Sequence, residues 1–377
     1  MKIGLVGTHS TGKTTLAHFV SETYGIPYAR SDIARDIGRR LTPGLRLDQF
    51  SPQEQWQLQQ QFLRYANDIQ YMDSPFITDC CSVTCDPYSR FLIGNGIKDL
   101  PGYDQFLAQA YGGTRQLTRL FYIPAESDLV LDGFRPHSEQ LRTDIDAALL
   151  ECLVGFQFYI LTGTIERRAE QVALSTGKTE TSIWNNYVAF EGLPGSGKST
   201  LIKRLVDTLR KRRKETYVCQ RFGTPNLKEE LTSLYEDPVA NRDQLLELHA
   251  ASFMKQFERN IVHKRLEERQ LVITDRQKFT AVAIQLALGN SHANCYKALR
   301  EIPTPGRVIY LDIDPALAVS RRKREKQGNS LETDLEFQHK VRNAYQWLSN
   351  HHLEFRVVNA NRPVEDVERQ VISSLDI

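Results

Sequence analysis

The chain has 377 residues, 25% of them charged, and a formal net charge of +2. That length suffices for two cores of about 150–200 residues each, and the near-neutral balance argues against a whole-molecule field built for nucleic acid or membrane. No run approaches the ~18 apolar residues of a membrane span, no signal peptide precedes the first strand, and six cysteines without a C-x-x-C pair read as buried reduced thiols, so a cytoplasmic protein is expected.

Lys2-Ile3-Gly4-Leu5-Val6 reads as a strand, and Gly7-Thr8-His9-Ser10-Thr11-Gly12-Lys13-Thr14-Thr15 behind it fits G-x-x-x-x-G-K-[ST], the phosphate-binding loop. Glycines such as Gly7 and Gly12 let successive N–H groups curl around phosphate oxygens, with His9 and Thr15 among the expected ATP contacts. Lys13 supplies a point charge to the β and γ phosphates and Thr14 a hydroxyl to Mg²⁺. Leu16, Ala17, Phe19 and Val20 open a helix whose positive end faces the anion.

Pro27 to Arg30 follows as a second strand, leading to Ser31-Asp32-Ile33-Ala34-Arg35. The glutamine-rich stretch from Pro52 to about Asp68 predicts a helix with a solvated face. Phe76-Ile77-Thr78-Asp79 is a buried strand ending in a carboxylate, placed where it reaches Mg²⁺ or a bound hydroxyl. Residues 94–118 read as loops around a short helix, and Leu120 to Ile123 returns to the sheet. Arg135 and Arg142 then fall in a segment expected to be a lid loop over ATP, and Phe156 to Leu161 makes a fifth strand. Polar residues 173–186 predict a linker, dividing the chain into domains 1–172 and 187–377.

The second half repeats the order. Tyr187 to Phe190 leads into Gly192-Leu193-Pro194-Gly195-Ser196-Gly197-Lys198-Ser199-Thr200, a second phosphate loop about one domain length after the first. Here Lys198 faces the phosphates and Ser199 the metal, with Gly192, Gly195, Gly197 and Thr200 completing the cradle. Thr216 to Phe222 is the next strand, helices cover about 226–268, and Leu271-Val272-Ile273-Thr274-Asp275 ends in an acid like Asp79. Val308 to Ile313, the basic helix with Arg321, Arg322 and Arg324, the strand Glu354 to Val358 and a helix from about Val364 close the chain. Buried runs alternating with helices in two matching halves predict an α/β protein of two P-loop domains. Each is a parallel sheet of about five strands flanked by helices.

The second half resembles thymidylate kinase along most of residues 187–373. Phe190-Glu191-Gly192, Asp275-Arg276, Tyr310-Leu311-Asp312 before the basic helix, and Val341-Arg342-Asn343-Ala344-Tyr345 carry the likeness. The resemblance implies that Arg221 and Arg276 hold an acceptor phosphate and that Arg321, Arg322 and Arg324 stabilise the transferring phosphoryl group. It gives Asp275 the orienting of acceptor or Mg²⁺. Counting back from Asp275 puts Lys255 in the base-contacting segment where that family has arginine, and Ala251 where an aromatic ring would stack. The first half, through its loop Gly7 to Thr15, resembles the P-loop family that includes nicotinamide-riboside kinases, and the resemblance implies Asp32 and Arg35 as acceptor contacts. Its Asp79 is followed by Cys80 instead of arginine, which suggests a non-phosphorylated acceptor, a different substrate, or a copy that only binds.

The resulting expectation is an ATP- and Mg²⁺-dependent phosphotransferase acting on a nucleotide-like acceptor, dTMP or a modified deoxypyrimidine monophosphate. Tandem P-loop kinases of this build also resemble those predicted in phages that modify thymine. That makes a hydroxymethylpyrimidine in DNA the alternative acceptor, one that must leave the helix to be reached. A nucleotide-driven switch or motor is the third class, disfavoured because Cys80 and Arg276 follow the two acids where motors carry Asp-Glu.

Overall fold

The first strand, β1 (Lys2–Val6), is buried from Ile3 onward, as a strand covered on both faces must be. It takes β2 (Phe76–Thr78) on one side and β3 (Arg119–Tyr122) on the other, with β4 (Tyr159–Ile160) outside β3, all parallel. The computed structural model describes all residues except 30–32, 131–133, 135–137, 180–181, 221–229, 232, 326–329 and 376–377, and only the backbone of 33–35, 95 and 325. Within it the chain forms two compact units, Met1–Thr179 and Glu180–Ile377.

In the first unit the sheet order is β2-β1-β3-β4. Of the second strand expected from Pro27, the described residues keep a single parallel bridge from Tyr28 to Ile77, which leaves four strands among them. The helices are α1 (Lys13–Tyr24), α2 (Ile33–Leu41), α3 (Pro52–Gln70), α4 (Cys85–Ile93), α5 (Tyr103–Thr114), α6 (Glu139–Cys152) and α7 (Ile165–Ser175). Ser51 caps α3 and Glu54 answers it in a capping box. The glutamine-rich face of α3 departs from expectation: Gln55, Gln59 and Gln70 are all buried. Their amides are put to use inside, as when Gln70 Nε2 donates to the Cys80 carbonyl at 3.1 Å. The short helix expected within residues 94–118 is α5, 12 residues long.

The second unit holds β5 (Tyr187–Gly192), β6 (Thr216–Val218), β7 (Leu271–Asp275), β8 (Arg307–Asp312) and β9 (Phe355–Asn359), in the parallel order β6-β7-β5-β8-β9. Its helices are α8 (Lys198–Lys211), α9 (Arg242–Arg259), α10 (Val262–Glu267), α11 (Lys278–Ala287), α12 (His292–Ala298), α13 (Pro315–Glu325), α14 (Ser330–Thr333), α15 (Leu335–His351) and α16 (Val364–Ser374). Strand β5 is buried throughout and sits at the centre of a core with Leu201, Leu205, Ile273, Val308 and Tyr345. In both units the loop-bearing strand is central, flanked by the strand that ends at the acid, so loop and acid meet at the carboxyl edge of the sheet. Residues 173–186 contain the end of α7 and a 3₁₀ turn at Ile183–Asn186. All six cysteines are buried and free, and burial pushes their thiols up, Cys152 to about 11. No described helix is long and apolar enough to cross a membrane.

Candidate active sites

The two loops are built alike, contact by contact. Lys13 Nζ donates to the carbonyls of Gly7 (2.8 Å) and Thr8 and to Thr11 Oγ1. Lys198 Nζ donates to Gly192 (2.9 Å), Leu193 (2.8 Å) and Ser196 Oγ. Gly12 and Gly197 both take left-handed backbone at the start of their helices, α1 and α8. Gly195 is constrained further, with φ +81°. A Cβ there would lie 2.5 Å from the Ala318 carbonyl oxygen, so α13 packs directly on the loop.

Each acid meets its loop hydroxyl. Ser199 Oγ donates to Asp275 Oδ2 at 2.8 Å, and Thr14 Oγ1 donates to Asp79 Oδ2. Tyr28 OH binds the other Asp79 oxygen at 2.9 Å. A hydroxyl and a carboxylate side by side at the mouth of a phosphate loop are the hard oxygen donors that Mg²⁺ takes, alongside nucleotide phosphates. Thr14 with Asp79 and Ser199 with Asp275 therefore fit that ion.

Arg276 is the other fixed point of the second site. Its backbone is left-handed, φ +76°, and its N–H donates to Phe190 O at 3.0 Å. Such a backbone in a non-glycine residue costs of order 1–3 kcal/mol and persists only where the surroundings impose it. The guanidinium reaches Gly192 O and Thr280 Oγ1, both at 3.3 Å. Burial works against its charge, but Tyr345, Glu191, Asp275 and Glu332 around it outweigh that and hold it above the usual range. Glu191, fully buried, takes the Gln277 N–H (2.8 Å), Thr280 Oγ1 (2.5 Å) and Tyr345 OH (2.9 Å). Burial raises its carboxyl pKa, opposed by those bonds and by Arg276. Sequence reasoning placed Glu191 in a motif and gave it no role. Its signal was a charged residue inside an otherwise apolar strand.

A cavity of about 280 Å³ opens between Gly192, Asp275, Arg276 and the faces of α9 and α15. From α9 it is lined by His249, Ser252, Phe253 and Gln256. Lys255, the predicted base contact, is exposed and does not line it, and Ala251 is exposed as well. Helical phase is the reason: His249, Ser252, Phe253 and Gln256 share a face that leaves out Ala251 and Lys255. His249 Nε2 lies 3.3 Å from Tyr235 OH, and burial with the nearby Arg276 lowers its pKa to about 4. Of the basic helix, Arg321 reaches Gly195 O at 3.3 Å, and Arg322 beside the loop is paired with Glu332. Arg324 points to solvent instead. Arg221 lies outside the described residues.

The first site opens into a larger cavity of about 610 Å³. Its loop side holds Lys13, Thr14, Thr15, His9 and Asp79, and α3 lines the far side with Leu58, Gln59 and Phe62. Arg142 is not in a lid loop. It belongs to α6, whose Ser138 cap binds the Leu141 N–H, and its side chain is 1% exposed beside Glu139. Asp32, Arg135 and the Arg35 side chain lie outside the described residues.

The thymidylate kinase family model matches residues 190–371, and an AAA domain model matches residues 2–168. The thymidylate kinase of Legionella pneumophila (strain Corby) is 30% identical over 209 residues, 52% of this chain and 96% of that protein. The chain belongs to the thymidylate kinase family. Family membership rests on the second unit. The thymidylate kinases of Vibrio parahaemolyticus (30% over 203 residues, 51% of this chain and 95% of theirs) and Deinococcus radiodurans (30% over 196 residues, 49% and 93%) align over the same share. The chain is thus a nucleotide kinase, with a second P-loop unit ahead of its family domain.

Proposed function

We propose that the second unit transfers the γ-phosphoryl group of ATP to the phosphate of a deoxypyrimidine monophosphate, dTMP or a base-modified relative. The observation that carries this is Arg276, whose guanidinium reaches the Gly192 carbonyl of the Lys198 loop at 3.3 Å and lines a cavity of single-nucleotide size. A planar fork is the natural partner of an acceptor phosphate. Lys198 and Arg321 border the loop where charge spreads in the transition state, and phosphoryl transfer asks for such positioning and positive charge more than for covalent chemistry. Ser199 and Asp275 would hold Mg²⁺, which would supply charge neutralisation to the nucleotide phosphates. Phe253 and Phe337 offer apolar walls to the base, and His249, Ser252 and Gln256 offer the polar edge.

The test incubates the protein with γ-labelled ATP and, separately, deoxynucleoside monophosphates and DNA containing thymine or hydroxymethyluracil. Label on a pyrimidine monophosphate, lost in Lys198→Ala, supports the reading. Label on DNA alone, with affinity falling steeply as salt rises because several phosphates release counterions together, replaces it with the DNA acceptor.

A further inference from the structure

We propose that Glu191 is a positioning residue for phosphoryl transfer in the second unit, one that fixes both the backbone and the guanidinium of Arg276. On the reading above, that Arg276 grips the acceptor phosphate, Glu191 thereby governs acceptor capture without touching the acceptor. A strand covered on both faces has no place for an unpaired charge. Strand β5 nevertheless carries Glu191, 0% exposed, between Phe190 and the first glycine of the loop. Three donors converge on it. The Gln277 N–H reaches Oε1 at 2.8 Å, and Thr280 Oγ1 and Tyr345 OH reach Oε2. Gln277 is the N-cap of α11 and Thr280 lies in its first turn, so one carboxylate ties the start of α11 and, through Tyr345, α15 to the end of β5.

Arg276 sits immediately before that cap, and consecutive residues of β5 hold the peptide groups on either side of it. Its own N–H donates to Phe190 O at 3.0 Å, and the next N–H, that of Gln277, donates to Glu191. Thr274 Oγ1 adds a third tie by donating to the Arg276 carbonyl at 3.0 Å. A left-handed backbone at φ +76° lasts only while its surroundings over-determine it, and these bonds do so. The guanidinium is tied to the same carboxylate through one hydroxyl. Thr280 Oγ1 accepts from Arg276 Nη1 at 3.3 Å and donates its proton to Glu191 Oε2. Burial works against both charges, and Glu191 and Arg276 each oppose it for the other.

An amide of the same volume could not do this. With its NH₂ at the Oε1 position it would meet the Gln277 N–H, donor against donor. With its NH₂ at the Oε2 position it would turn the Thr280 hydroxyl round and point that proton at the guanidinium. Either way Arg276 loses one of its ties and the counter-charge.

The experiment is a double-mutant cycle on the full chain, Glu191→Gln against Arg276→Lys, with acceptor and Mg-ATP varied separately. Glu191→Gln should lower kcat/KM for the acceptor about 10–50-fold while the ATP KM moves less than about 3-fold, a split that general loosening of the loop would not give. In the Arg276→Lys background the same change should cost less than about 3-fold, because the group that Glu191 positions is already gone. Glu191→Gln removes a buried counter-charge, so its folding is at risk. Thr280→Val keeps both charges and removes only the bridging hydroxyl. It should lose about 5–20-fold in acceptor kcat/KM, and Thr280→Ser should recover most of that. Additive losses in the cycle, equal losses for ATP and acceptor, or wild-type acceptor kinetics in Thr280→Val would each overturn the proposal. The cycle runs on whichever acceptor the wild-type chain labels, so label on DNA alone, which replaces the proposed function, is told apart from a failure of Glu191 to act through Arg276.

Discussion

Arg276 shows how much one position can carry. It follows directly on the acid Asp275, takes a left-handed backbone, and turns its guanidinium toward the loop carbonyl of Gly192. Arg276→Lys keeps a positive charge near Glu191 but loses the fork that can grip a phosphate with two bonds. We expect kcat/KM for the acceptor monophosphate to fall about 10–100-fold, ~1.5–3 kcal/mol for a lost charge-assisted contact. Steady-state kinetics with the acceptor varied at saturating ATP checks this, and an unchanged value would remove Arg276 from the acceptor site. His249 carries a pH prediction. Unfolded, it binds a proton below 6.5; folded, burial and Arg276 withhold that proton until about 4. Between those values the unfolded chain binds more protons, so stability rises with pH through the window and is lost as pH falls. His249→Gln should remove ~2–3 kcal/mol of that slope, leaving the parts due to His292 and His352, which are lowered by burial as well. Melting temperatures of both proteins between pH 4 and 7 read the difference.

At the scale of elements, what was legible was what is local. A phosphate loop is a run of backbone conformations, so glycine spacing announces it, and an acid ending a buried run announces its partner. The acceptor wall was not legible in the same way. Counting back from Asp275 assumes an unbroken helix, whereas the chain interrupts it between α9 and α10, where Ile261 adopts φ +45°. The count landed on the exposed side. The buried glutamines of α3 were missed because polarity was read as solvation; an amide inside a core needs only partners, and those are distant in sequence. Arg142 lies in a helix and not the expected lid loop, and Ser138 three residues before Leu141 marks that helix's start. The contact of α13 with the second loop gives this scale its prediction. Gly195→Ala adds strain at φ +81° and drives a methyl group against the Ala318 carbonyl, whereas Gly197→Ala at φ +91° meets nothing within 4 Å. Both should destabilise by about 1–3 kcal/mol through backbone strain. Only Gly195→Ala should also displace Arg321 from the loop and raise the ATP KM beyond what Gly197→Ala does. Equal ATP KM values would show that α13 does not set the loop.

The described residues form two sheets, two compact units and two loops of one construction. Each loop should therefore protect its own unit through the nucleotide it binds. A ligand at 100 times its Kd stabilises the folded form by about 2.7 kcal/mol. For a unit of this size that corresponds to a rise of about 5–10 °C in its transition. In scanning calorimetry of the wild-type chain, Mg-ATP should raise both transitions. Lys198→Ala should cancel the rise for residues 180–377 and keep it for the first unit, and Lys13→Ala should do the reverse, since each lysine is cradled by its own loop. Isothermal titration should count two ATP per wild-type chain and one per single variant. A wild-type chain that binds one ATP, lost in Lys198→Ala alone, would mean that the first loop has kept the contacts of a nucleotide site without the affinity. If the count is two and each variant silences only its own transition, the duplicated loop is a working nucleotide site, because each cradle then holds its own ATP.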